Sequence, residues 1–183
     1  MSNKKNNVEF ENFELLKENL KSSGSNLLFY HDAFSKIKLI QKIIGFQRIP
    51  ILYVDFDLLF SGYVNTKQIP QTNLSLINIL ETEFNEIMTE LLTKISLKQH
   101  FVIFDSVNGL YNTLSNDQGS GRIVNSILML LARNISFSNS ILLIPALAEK
   151  KDQKWVLPNG RQILENENMK KFSISDRSEI LSE

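Results

Sequence analysis

"LLFYHDAFSKIKL", residues 27–39, joins an apolar run to a helical one through a short polar turn. Leu27 to Tyr30 reads as a buried strand, and such a run suits a parallel strand covered on both faces. From residue 34 to 46, Ile37, Ile40 and Ile44 recur at helical spacing, with Gly45 near the stop. Strand, turn, lysine, helix is also the layout of the phosphate-binding pattern G-x-x-x-x-G-K-[ST]. Its glycines let successive backbone N–H groups curl around a phosphate. Lys36 stands at the lysine of that pattern, but Tyr30 and Ser35 stand at its glycines and Ile37 at its Ser/Thr. A lysine in a first helical turn is ordinarily surface charge. The stretch has the position of a phosphate loop without its chemistry.

The same alternation extends along the chain. Residues 8–20 place Phe13, Leu16 and Leu20 on one helical face, and "KSSGS" at 21–25 breaks that helix. "ILYVDF" after Pro50, "HFVIFD" at 100–105 and "SILLIP" at 140–145 read as further buried strands. Residues 58–73 read as loop with a short helix. Ile77, Leu80, Phe84, Ile87, Leu91 and Ile95 predict one long amphipathic helix over 74–97. "RIVNSILMLLARNI", after a polar loop, predicts a well-buried helix, and weaker strands are expected near 155–164 and 170–174. Strands alternating with helices argue for a single three-layer α/β domain over 1–183, its mainly parallel sheet flanked by helices. Residues 1–22 form its N-terminal helix, and 175–183 read as a loose C-terminal tail. Phe10 and Phe13 are expected to cap the chain's own core rather than to dock elsewhere.

Composition narrows the functions open to such a domain. At 183 residues, 43% hydrophobic and 22% charged, the chain is an ordinary globular domain with a sizeable core. No apolar run approaches the roughly 20 residues of a membrane helix, and "MSNKKNNVEF" leads into no apolar segment, so neither an anchor nor a signal peptide is expected. The absence of cysteine excludes disulfides and thiolate metal sites and fits the cytoplasm. With His31 and His100 alone, a multi-histidine metal site is excluded. Zero net charge speaks against nucleic-acid binding by bulk electrostatics, so any such function needs a local basic patch.

In an open parallel sheet, ligands meet the carboxyl ends of the strands. His31, Asp32 and Lys36 follow the first strand, Asp55 and Asp57 the second, Asp105 and Ser106 the third. Strand ends also carry Asp as turn and cap residues. As a nucleotide site the set would use Lys36 for phosphate, Asp105 for magnesium and Asp57 for water. Ser106 has no G-x-S-x-G context, which leaves no hydrolase triad to defend.

"FVIFDSVNGLYNTL" resembles the Walker B segment of the RecA-type recombinases, where an apolar strand ends in Asp-Ser before Leu-Tyr. Asp105, Ser106, Leu110 and Tyr111 fall on those positions. "LYVDFD" is similar to that family's Tyr-Ile-Asp-x-Glu strand: Tyr53, Val54 and Asp55 match, and Asp57 stands where the water-activating Glu would be. "KKFSISDRSEI" resembles its late strand leading into an Asp-Ser turn. The order is kept over residues 24–178, and KaiC-like proteins and the small RecA-fold subunits of Elongator share it. The resemblance implies a RecA-like fold, ATP with magnesium in active members, and assembly with RecA-like copies or relatives.

The departures from that family all weaken catalysis. Tyr30 and Ser35 remove the loop's freedom, Ala33 and Phe34 add bulk, and Ile37 offers magnesium no hydroxyl. Asp57 is one methylene shorter than Glu, and a misplacement of about 1 Å already costs rate. Pro145 and Ala146 replace the γ-phosphate sensor, and Asp32 repels phosphate. Positioning and electrostatics supply nearly all of phosphoryl-transfer catalysis, so no enzyme activity and no ATP or magnesium cofactor are expected, with Lys36, Asp57 and Asp105 vestigial. Of the two loops that face DNA in the recombinases, the first holds only Arg122. The second holds Lys150, Lys151, Lys154, Trp155 and Arg161, a mixture that suits single-stranded nucleic acid, although it also reads as a solvated hairpin turning at Pro158-Asn159-Gly160. The expectation is a non-catalytic recombinase paralogue serving as an accessory or interaction subunit in DNA repair. The alternatives are a degenerate KaiC- or Elongator-like subunit in signalling or tRNA modification, and a weak ATPase.

Overall fold

The computed structural model describes residues 10–22, 24–66, 69, 73–79, 83–115, 119–152, 154–163, 168–175 and 178–183. Helix α1 (Phe13–Asn19) precedes strand β1 (Gly24–Tyr30), helix α2 (Ala33–Phe46), strand β2 (Ile51–Asp55) and helix α3 (Leu59–Asn65). Strand β3 (Leu74–Asn78), helix α4 (Phe84–Leu97), strand β4 (Phe101–Asp105) and helices α5 (Val107–Thr113) and α6 (Ser120–Phe137) follow. Strand β5 (Ile141–Leu147), a hairpin of β6 (Glu149–Lys151) and β7 (Lys154–Val156), and strands β8 (Met169–Ile174) and β9 (Ile180–Ser182) complete the fold.

The main sheet has the order β3-β2-β4-β5-β1-β8-β9. Every neighbouring pair in it is parallel except β8 with β9. Successive side chains of a strand point to opposite faces, so each buried run feeds two cores. Leu27, Phe29, Leu52, Val54 and Phe104 face α4, α5 and α6. Leu28, Tyr53, Ile103 and Leu143 face α1, α2 and α3. That two-sided burial is why these strands read as continuous apolar runs. Pro145 is tolerated inside β5 because the β4–β5 ladder ends at Ile103 and Leu143, so its missing N–H faces no partner strand. Beyond it the Asn108 side chain takes over, accepting from the Leu147 N–H at 2.7 Å and donating to the Leu147 carbonyl at 3.2 Å.

Four expectations are corrected. Residues 74–97 are not one helix: Leu74–Asn78 is edge strand β3, in register with β2 from Ile51 and Leu74 to Asp55 and Asn78, and only Phe84–Leu97 is helical. Ile77 falls on the helical period by coincidence, and pairing with the open edge of β2 decides its state. The stretch after β4 is not loop throughout but begins with α5, capped where Ser106 Oγ accepts the Gly109 N–H at 3.1 Å. Residues 178–183 are not loose: β9 pairs with β8, Ile180 is fully buried, and Glu179 bridges to Glu11, while residues 176 and 177 lie outside the described set. The hairpin turns at Asp152 rather than at Pro158–Gly160, which forms a separate 3-10 turn. The N-terminal helix is expected over 8–20 and observed as Phe13–Asn19, residues 8 and 9 lying outside the described set. Phe10, Phe13, Leu16 and Leu20 are buried in the α1–α3 core, and Lys42 lies over the Phe13 ring at 4.4 Å. No helix among the described residues is long and apolar enough to cross a membrane.

Gly109 lets α5 approach the sheet. A Cβ at this position would lie 2.5 Å from Cβ of Phe56, which cannot swing away as a side-chain tip can. Alanine gains about 1 kcal/mol of helix propensity, but overpacking costs about 1–3 kcal/mol. Gly109→Ala is therefore expected to lower the urea midpoint, and a raised midpoint would mean that the turn after β2 yields without strain.

Candidate functional site

Helix α2 begins at Ala33, leaving only His31 and Asp32 between it and β1. Ala33 and Phe34 therefore belong to the first helical turn, and Phe34 is exposed. Asp32 is the N-cap. Its carboxylate accepts the Ser35 N–H at 2.6 Å, and that bond holds its carboxyl below the ordinary range. An anion of the chain itself thus occupies the positive end of the helix.

Lys36 is not surface charge. It is 0% exposed, and its Nζ donates to Oδ1 and Oδ2 of the equally buried Asp105 at 2.8 and 2.7 Å. Tyr53 donates its hydroxyl to the same carboxylate, and the Tyr30 ring lies 5.1 Å from the ammonium. The register explains the meeting. Asp55 pairs with Asp105, so Tyr53, Asp55 and Asp105 project to the face that α2 covers. Burial is the largest influence and disfavours the Lys36 charge, but the Asp105 carboxylate, with Tyr30 and Asp57 adding to it, offsets this and lifts the ammonium above its ordinary value. Burial raises the Asp105 carboxyl against the pull of Lys36 and Tyr53. Burial, with Asp105 beside it, pushes Tyr53 well above its usual range, so its phenol stays a donor.

Asp55 forms a second cluster. One oxygen accepts the Ser61 N–H at 2.7 Å and lies 2.6 Å from Ser61 Oγ, which in turn lies 2.7 Å from Asn78 Oδ1. Burial raises the Asp55 carboxyl to about 6 against the Ser61 bonds, with Asp57 and Asp105 adding to the rise. Asp57 itself is exposed, and its Oδ1 accepts the Leu59 N–H at 3.2 Å in a local turn. The structure therefore joins Lys36 to Asp105 and leaves Asp57 outside. Tyr53, Tyr30 and Ser61 are members that the sequence reading did not assign. Tyr53 carried a signal, since a tyrosine inside a fully buried strand needs an acceptor for its hydroxyl.

The basic candidates divide between two places. On the hairpin, Trp155 stacks on Phe29 with centroids 5.2 Å apart and planes 7° from parallel, while Lys150 lies over the indole and bridges Glu183 at 3.3 Å. Lys151 pairs with Glu149 at 3.2 Å, and Lys154 is exposed. Arg161 lies over Tyr111 and donates to Asn112 Oδ1 at 2.7 Å. Arg161 and Arg122 line one open cleft of about 840 Å³ between the start of α6 and the 3-10 turn. Among the described residues, no three His, Asp or Glu side chains converge as metal ligands would.

No family model matches the chain, and no curated protein matches it in sequence. Among solved structures, that of the RadB recombinase superposes with a TM-score of 0.57 at 13% identity, covering 87% of this chain and 81% of that one. At that identity the likeness is one of architecture. The seven-stranded, mainly parallel sheet with helices on both faces is a RecA-like fold.

Proposed function

We infer that this chain is a non-catalytic RecA-fold subunit, working as an accessory or interaction partner in recombination or repair, whose nucleotide position is closed by its own side chains. The observation that carries the reading is the buried Lys36–Asp105 pair. A lysine that serves phosphate must present its ammonium to the ligand, and an aspartate that serves magnesium must present its oxygens. Here each is engaged by the other, with Tyr53 and Tyr30 completing the enclosure. ATP with magnesium does not fit this donor set. Asp32 caps the helix end that a phosphate would approach, and Ile37 has no hydroxyl. The recombinase likeness supports the process.

Calorimetric titration of the chain with magnesium-ATP tests the reading. No saturable heat is expected at millimolar nucleotide. Saturable binding that Lys36→Met abolishes would overturn it.

One observation favours a nucleic-acid contact in addition. Arg122 and Arg161 flank the cleft beside Tyr111, whereas the Trp155 ring is already covered by Phe29. Base stacking needs an open aromatic face. Tyr111 is buried as well and lies beneath Arg161, so the cleft offers phosphate contact through its two arginines rather than stacking, and weak, salt-sensitive binding of single strands is expected there. Arg122→Glu with Arg161→Glu should abolish the gel shift at low salt while Lys154→Glu leaves most of it. Equal shifts for wild type and the arginine pair would remove this role.

A further inference from the structure

Helix α6 carries exposed apolar residues along its outer side. Ile123, Leu130 and Phe137 recur every seven residues, which sets them on one seam. They are 37%, 48% and 72% exposed, and Met129 beside them is 62% exposed. The helix holds no acidic residue, only Arg122 and Arg133, and the Arg133 guanidinium covers the Phe137 ring at 4.3 Å. Helix α4 lies alongside, aligned where Ser96 Oγ donates to Asn134 Oδ1 at 3.2 Å. It carries Glu86, Glu90 and Lys94, with Lys98 as its C-cap. Exposed apolar side chains aligned on one seam and rimmed by charge mark an interaction surface.

We propose that the α4/α6 face is covered by the same face of a second copy of this chain, across a two-fold axis that runs α6 antiparallel to its mate and brings the two Leu130 side chains together. The spacing selects a second copy. Antiparallel pairing centred on residue 130 sets Ile123 against Phe137 of the other copy and Phe137 against Ile123, the self-complementarity an isologous interface requires. Arg133 then faces position 127 and Arg122 position 138, so no arginines meet. The Ser96–Asn134 contact sets residue 92 of α4 level with residue 130 of α6. Within one chain Glu90 already holds Lys94 at 2.6 Å; the same axis sets that pair against its own copy in reverse order, so that Glu90 also faces Lys94 of the second copy and Glu86 faces Lys98, each pairing occurring twice. An apolar seam thus gains a rim of opposite charges, which fixes register and orientation. The inference stands apart from the phosphate-site reading, since none of these residues touches it.

Sedimentation velocity on the full chain from about 1 to about 300 μM tests it, because a two-fold contact obeys mass action. A monomer–dimer equilibrium is expected. Leu130→Glu should weaken it at least about 30-fold. Phe137→Ser should weaken it independently, and both variants should keep the wild-type circular dichroism because both positions are exposed. Glu90→Lys alone sets lysines against Lys94 and should also dissociate the dimer at low salt. Glu90→Lys with Lys94→Glu exchanges the pair and should restore it. A monomer throughout, a dimer indifferent to Leu130→Glu, no rescue by the exchange, or growth into open polymers would each overturn the proposal.

Discussion

Lys36→Met is expected to cost about 3–5 kcal/mol of folding free energy, because it leaves the Asp105 carboxylate buried without its countercharge. For a domain of this size that lowers the melting temperature by about 10 °C. Lys36→Met with Asp105→Asn should recover most of the loss. It removes both charges, and the amide oxygen still accepts from Tyr53, so no buried charge is left unpaired. The pair is thus expected to be costly to halve and cheap to replace whole. Urea unfolding of the two variants beside wild type measures this. A single substitution costing under about 1 kcal/mol would mean that the ion pair does not hold in solution, and that the ammonium is free to meet a phosphate.

Stability should also fall as pH rises from about 4 to about 6. Asp55 has an ordinary value of 3.8 and is lifted to about 6 in the fold, chiefly by burial. Between those values the folded chain binds more protons than the unfolded one, so unfolding becomes easier as pH rises, and the loss is complete above the folded value. A shift of about 2 units corresponds to about 3 kcal/mol. The hydrogen-bond geometry points the same way. With Asp55 ionised, the single Ser61 hydroxyl proton must choose between Asp55 and Asn78. With Asp55 protonated, the carboxyl donates to Ser61 Oγ and frees that proton for Asn78. Asp55→Asn should remove the slope, so the readout is the difference in unfolding free energy between wild type and Asp55→Asn at pH 4.5 and 7. Parallel pH profiles would place Asp55 in an ordinary solvated setting.

Both predictions concern charges that the sequence places at strand and helix ends and that the fold buries completely. The runs at 27–30, 51–55, 101–105 and 141–144 were legible as strands because burial on both faces leaves little room for polar residues. Helix α2 was legible from its periodicity, and α6 was legible as a helix but not as the well-buried one expected, since Ile123, Met129, Leu130 and Phe137 are exposed on its outer side. Strand β3 was not, since an edge strand is buried by halves and its apolar residues coincided with the period of the helix that follows. Helix α5 was hidden because "VNGLYNT" has too few turns to show a period, and its stability rests on packing against β5 and on the Ser106 cap.

The candidate site divides along the same line. The departures from the phosphate-loop pattern at Tyr30, Ser35 and Ile37 could be read directly, because backbone freedom and a missing hydroxyl are properties of the residue itself. What became of the lysine that remained could not, since Lys36 and Asp105 are 69 residues apart. Their contact depends on β2 lying beside β4 and on α2 crossing that face. Local periodicity and residue type were enough for the α/β class and the buried strands, and they put Tyr30, Ser35 and Ile37 where the phosphate-loop pattern has two glycines and a hydroxyl. That Lys36 turns inward to neutralise Asp105, that Trp155 lies against Phe29 and that β9 lines the far edge of the sheet could be known only once the chain was folded. Those outcomes depend on which strands become neighbours, and no window of consecutive residues contains that choice.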